Sequence, residues 1–340
     1  MKRFILIIFI LHGALFAQSP FSETVDSLIL KGIDLTLESR FDSAMAVFLL
    51  VYEKTPDHPV GLFYMAATRQ SEMMDYETDR YEDEFYQYID SALVIGKRSL
   101  DQGDSSAWTH FYVGSAYSYK GLYQVKAGSY VSGFVSANKG IGHLKKAMKQ
   151  DSTLYDAYLG VGNYQYWSGR LSKYLRWLPF IRDEREEGIQ NVHLAIEKGA
   201  FSKWVSINSL AWIEYDREEY AEALHLFRLG LEPYPDSRFF IWGVGSCLFK
   251  IKRWRDAIEI YDRLLDSVLK GKIYSGYNEA ECRLRLADSY FALGQFPQAL
   301  QECEKIKSLN VDERTAKRIE DHKKEASKIR EKCLEEMERE

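Results

Sequence analysis

The sequence predicts an all-α fold: a right-handed α-solenoid of about seven helix pairs, ended by a capping helix. Three observations carry this. Apolar residues recur at three- and four-residue spacing, as in Ile207, Leu210 and Ala211 and again in Ala223, Phe227 and Leu231. The pattern at 204–237 returns at 238–271 and again from residue 280, a period of about 34 residues. The chain then ends in a strongly charged segment with one thin apolar stripe.

The first element, residues 1–17 (MKRFILIIFILHGALFA), has the form of a signal peptide. Lys2 and Arg3 precede the apolar run Phe4 to Leu11, and Gly13, Ala14 and Ala17 supply small residues before a cleavage site. The run is short for a span of ~30 Å of hydrocarbon. An exported protein is expected, periplasmic or outer-membrane associated in a Gram-negative bacterium. The composition, 46% hydrophobic and 28% charged, is that of a folded chain. The net charge of −5 gives no support to nucleic-acid binding, which needs a basic face.

The solenoid is expected over 18–311. Its first unit, 25–58, carries Gly32, Phe41, Ala44, Phe48 and Pro56 at repeat positions 8, 17, 20, 24 and 32. The second, 59–104, starts with Leu62, Met65 and Ala66, then lengthens through MMDYETDRYEDEFYQYIDSA. Asp75, Glu77 and Asp79 there have the spacing of a calcium loop. Arg80 stands where such a loop needs glycine and Tyr86 where it needs glutamate, so a solvated helix face is expected instead. The third unit (107–152) and the fourth (155–200) place Gly114 and Gly162 at position 8, and Gly121 and Gly169 at position 15. Their second helices are displaced to about 131–150 and 184–198. Units five to seven are 204–237, 238–271 and 280–311. Residues 312–340 read as one capping helix, with Ala316, Ile319, Ala326, Ile329, Cys333 and Met337 as its stripe and a coiled-coil seam as the alternative.

The last three units can be aligned position by position. Position 8 is Ala211, Gly245 and Ala287. Position 17 is Tyr220, Trp254 and Phe296, position 20 is Ala223, Ala257 and Ala299, and position 24 is Phe227, Tyr261 and Cys303. This resembles the tetratricopeptide repeat family. The resemblance implies a superhelix that binds proteins or peptides on the concave face lined by its first helices. A less specific similarity, through YDAYLGVGNYQYW, the WLPF loop and DEREEG, is to the eukaryotic inclusion-body-clearance and tetratricopeptide-thirty-nine group over about 105–305; no function is taken from it.

The positions that line the concave face in the family are here Trp108, Phe111, Tyr166, Trp167, Trp212, Tyr215, Phe239, Trp242 and Phe249, among other aromatics. Large rings with few rotors suit a partner site, and packing between repeats is the alternative use. A second candidate contact is the insertion at 170–188, where Tyr174, Trp177 and Phe180 stand among Arg170, Lys173, Arg176 and Arg182. That mixture suits a membrane interface or a protein partner, or else folds back on the helix pair. No catalytic motif, metal-ligand spacing or cofactor fingerprint is present. Gly160-Val161-Gly162 and Gly243-Val244-Gly245 sit inside first helices, where close packing explains them. Cys282 and Cys303 lie on the two helices of one unit and could pair, but buried free thiols are expected. The expected function is thus a non-enzymatic exported scaffold for a protein or peptide partner, with peripheral membrane contact as the alternative.

Overall fold

The computed structural model describes residues 19–104, 106–172 and 183–339. The segment 1–17 and the predicted contact residues Tyr174, Trp177 and Phe180 lie outside them. The described residues form fourteen helices in seven antiparallel pairs, followed by two more. The pairs are α1 (Glu23–Leu37) with α2 (Phe41–Lys54), α3 (Val60–Asp75) with α4 (Glu82–Asp101), and α5 (Ala107–Lys126) with α6 (Tyr130–Gln150). They continue with α7 (Asp156–Ser172) and α8 (Arg185–Lys198), α9 (Lys203–Asp216) and α10 (Tyr220–Leu231), α11 (Arg238–Lys250) and α12 (Trp254–Leu269), and α13 (Gly276–Ala292) and α14 (Phe296–Ser308). Each helix packs on its partner, and the second helix of each pair packs on the first helix of the next, as a solenoid requires.

The helices follow the pattern that predicted them. In α12 the buried residues are Ala257, Tyr261, Leu264, Leu265 and Val268, one stripe at three- and four-residue spacing. Position 8 must be small because position 24 of the same unit lies over it. A Cβ on Gly32 would stand 2.4 Å from the Phe48 ring. In units three and four glycines meet backbone to backbone instead. A Cβ on Gly114 would lie 3.0 Å from the carbonyl of Gly140, and one on Gly162 2.5 Å from that of Gly188. Position 15 turns the chain between helices in units one, five, six and seven, with φ of 58° at Ser39, 65° at Glu218, 60° at Lys252 and 71° at Gly294.

Two expected boundaries differ. The last first-helix begins at Gly276, not Ala280, because Ser275 caps it by accepting from the Asn278 N–H at 3.3 Å. The segment expected as one helix over 312–340 is two, α15 (Glu313–Arg318) and α16 (Glu320–Arg339), with a break at Ile319. Ile319, Ala326, Ile329 and Cys333 are buried, and α16 packs on α13 and α14, so its stripe caps the array.

The largest departure from a simple array is that its ends meet. Tyr234 donates to Asp34 at 2.6 Å, and the Ser237 hydroxyl donates to the Leu37 carbonyl at 2.5 Å. Leu37 itself is buried in the cluster formed by units four to seven. Asp75 pairs with Arg238, whose guanidinium also lies over the Tyr76 ring at 4.6 Å. Asn278 donates to the Asp75 carbonyl at 2.8 Å. Arg318 bonds Glu77 at 2.5 Å, Arg314 pairs with Asp79, and Lys272 pairs with Asp42. The acidic residues 75, 77 and 79, expected to be solvated, are therefore the acidic side of a seam whose arginines come from the C-terminal half. Seven units bring the chain round far enough for this turn to meet the starts of α11, α13 and α15.

Candidate interaction surface

The nine aromatic residues expected to line one face fall into three sets. Trp108 and Phe111 are buried, at 5% and 8% exposure. They belong to an aromatic cluster around Tyr112, whose ring centroid lies 4.9 Å from Phe111, 5.7 Å from Phe63 and 6.1 Å from Trp108; Phe201, between α8 and α9, closes it at 5.8 Å from Trp108. Tyr166 is buried too. It donates to Asp216 at 2.8 Å, and the same carboxylate accepts from Arg170 at 2.9 Å, so burial and Asp216 together push its phenol well up. These three rings hold neighbouring units together and are not presented to a partner.

Trp212, Tyr215, Trp242 and Phe249 are half-buried. Each leans on a ring of the second helix of its own unit: Trp212 on Phe227 (5.0 Å), Tyr215 on Tyr220 (5.2 Å), Trp242 on Tyr261 (6.4 Å) and Phe249 on Trp254 (5.3 Å). Arg285 of the next unit covers Phe249 at 4.7 Å. Trp167 and Phe239 are exposed, at 40% and 38%. The polar residues of this face are ties between first helices. Asn163 of α7 bonds Ser209 of α9, and Asn208 of α9 donates to the Phe239 carbonyl of α11 at 2.9 Å. The face is thus a row of parallel first helices, locked by amides and carrying six aromatic rings that are partly accessible.

Two features escaped the sequence reading. An open groove of about 1140 Å³ runs between α2 and α4. Leu62 and Met65 of α3 form its floor, and Leu49, Tyr52, Tyr88 and Val94 form its walls. Leu49 and Val94 lie in register with other outward positions, and only their exposure of 44% and 57% marks them. The second is a histidine pair. The seven histidines are scattered in sequence, yet His110 of α5 and His143 of α6 meet with their Nδ1 atoms 3.0 Å apart. Burial, then the neighbouring His110 and Lys146, lowers His143 to about 4. Among the described residues no group of three or more His, Cys, Asp or Glu side chains could hold a metal ion. The four cysteines are free and buried. Cys282 sits in the middle cluster, and Cys303 with Cys333 in the last. Burial pushes the Cys303 and Cys247 thiols up to about 12.

Fold and surface together define an α-solenoid built of helix pairs. The repeat is the tetratricopeptide repeat: that family matches the sequence at 205–232, in the fifth unit, and again at 281–310, in the seventh. The chain therefore carries tetratricopeptide repeats in these two units, and such repeats support a scaffold for protein–protein interaction. Solved structures of similar shape include a thermophilic TPR protein of Thermus thermophilus (17% identity, 66% of this chain and 98% of that one, TM-score 0.41). Others are the C-terminal part of a TPR repeat-containing protein from Cytophaga hutchinsonii (16%, 86% and 97%, 0.45) and a tetratricopeptide repeat protein from Parabacteroides merdae (14%, 90% and 100%, 0.39). No curated protein matches the sequence.

Proposed function

We propose that this protein is an exported, non-enzymatic scaffold that holds a segment of a protein partner along the first helices of units four to six. The observation that carries the reading is the run of accessible rings on α7, α9 and α11: Trp167, Trp212, Tyr215, Phe239, Trp242 and Phe249. A helix row locked by Asn163 and Asn208 is preorganised, so a partner would lose little free energy to reordering it. Half-buried aromatic anchors are what interface hot spots use. Export rests on the pattern of residues 1–17.

The test is in the cells that make the protein. A photoreactive residue at Trp242 should capture one protein or peptide family. Phe239→Ala with Trp167→Ala should weaken that partner's binding about 30-fold, the size of one hot spot of ~2 kcal/mol. Unchanged affinity in the double variant would end the proposal for this face. A mature N-terminus read by mass spectrometry from the periplasmic fraction should begin near residue 18, and recovery of the intact chain in the cytoplasm would overturn export.

A further inference from the structure

The α5–α6 hairpin shares with α7–α8 a contact that most pairs lack. Its two helices touch through glycine. A Cβ on Gly121 would stand 2.9 Å from the Gly133 carbonyl, and one on Gly140 2.9 Å from that of Gly114. Backbones this close leave no room between them for large side chains. The apolar residues at the end of the hairpin are therefore turned outward. Val131 is 80% exposed, Tyr130 70%, Phe134 65% and Leu122 55%, with Val125 and Val135 also exposed. They surround a short turn, Ala127, Gly128 and Ser129, so the patch is a convex cap and not a groove. Exposed apolar surface gathered at one point of a folded chain calls for an occupant.

Charge says what kind. Between Asp104 and Asp151 there are six lysines and no aspartate or glutamate, in a chain whose net charge is −5. Lys120 is paired with Asp90, and Lys126, in the last turn of α5, approaches Glu77 at 3.4 Å. Lys139, Lys145, Lys146 and Lys149 are exposed along α6, and no ion pair among the described residues engages them. Lys139 lies one helical turn from Val135, about 6 Å along the axis, within a Debye length of ~8 Å of anything the cap touches.

We propose that the α5–α6 cap is a docking point for an anionic lipid surface. A convex tip of Val131, Phe134, Tyr130 and Leu122 enters the boundary between headgroups and acyl chains, and Lys139 one turn behind it faces the phosphates. A bilayer accepts a convex apolar cap without a matching pocket, and its anionic headgroups complement a hairpin whose own residues include lysines and no carboxylate. This site is separate from the aromatic face of α7, α9 and α11, and neither depends on the other.

The experiment is sedimentation of the purified protein with vesicles of phosphatidylcholine alone and with about 30% phosphatidylglycerol, a moderately anionic surface. Binding is expected to the anionic vesicles only and to fall as salt rises. Val131→Ser with Phe134→Ser should weaken it at least about tenfold, the loss of roughly 1.4 kcal/mol of apolar burial. Lys139→Glu should weaken it without touching the cap. Both sites are exposed, so circular dichroism and the melting temperature should stay unchanged and show the variants folded. Wild-type protein that stays in the supernatant with anionic vesicles overturns the proposal. So does binding that ignores lipid charge, or that survives the double substitution. A lipid-free dimer that the same substitution dissociates would assign the cap to a second copy of the chain and overturn it too.

Discussion

Removing the Asp75 carboxylate should destabilise the whole molecule far more than removing the neighbouring Asp42 carboxylate, although both tie the same two halves together. The Arg238 and Asp75 side chains are 7% and 11% exposed, whereas those of Lys272 and Asp42 are 56% and 67% exposed. Burial already pushes the Asp75 carboxyl up, against the opposing pull of Arg238 and of Ser39, so this pair is held at a desolvation cost. Asp75→Ala leaves the Arg238 guanidinium buried without its counter-charge, which costs about 3–5 kcal/mol. Asp42→Ala breaks a solvated pair and should cost at most about 1 kcal/mol. The assay is urea unfolding at neutral pH, followed by circular dichroism and by tryptophan fluorescence. Arg238→Met completes a double-mutant cycle, and with both charges gone part of the loss should return. Equal effects of Asp75→Ala and Asp42→Ala, both below about 1 kcal/mol, would refute the view that the ends are joined through a buried pair.

Acid should weaken the fold in a defined window. Burial lowers His58 to about 4, and its Nδ1 accepts the Val60 N–H at 3.2 Å, so the folded chain resists a proton there that the unfolded chain takes near pH 6.5. Stability should fall as the pH drops from 6.5 to about 4 and level off below, by at most about 3 kcal/mol for this group. His58→Gln should flatten the decline in urea midpoints, and a parallel curve would rule the group out. Lys252→Gly should raise stability by about 0.5–1 kcal/mol, since its φ of 60° strains any side chain and suits glycine. A lower melting temperature for that variant would contradict the assignment of position 15 as the left-handed turn.

Units five to seven were legible because one residue type recurs at fixed positions for a local reason. Ala223, Ala257 and Ala299 each sit where the two helices of a unit come together, and all three are fully buried. The second helices of units three and four could be placed only approximately from the sequence, and the structure adds that Gly114 and Gly162 meet glycines on them. The fate of the aromatic rings was not legible. Trp108 and Phe111 hold positions 2 and 5 of their unit, and Phe239 and Trp242 hold the same positions of theirs. The first pair is buried because Phe63, Tyr112 and Phe201 converge on it. Phe239 stays exposed and Trp242 half-buried: among the rings of the described residues Phe239 meets only the neighbouring Phe240 and Trp242 only Tyr261 of its own unit. Periodicity reports the side of the helix, not what arrives there from another unit. The meeting of the ends was hidden for the same reason. Asp75 and Arg238 are 163 residues apart, and no repeat pattern links them.

That meeting sets a limit on how this protein can change. An open array grows by copying a unit, since each copy needs only its two neighbours. Here the turn after α3 must arrive opposite the starts of α11, α13 and α15. An extra unit anywhere between would carry Arg238, Arg314 and Arg318 past their carboxylates, and a lost unit would leave them short. The count of helix pairs is thus a fixed property, enforced by three arginines that belong to no repeat consensus.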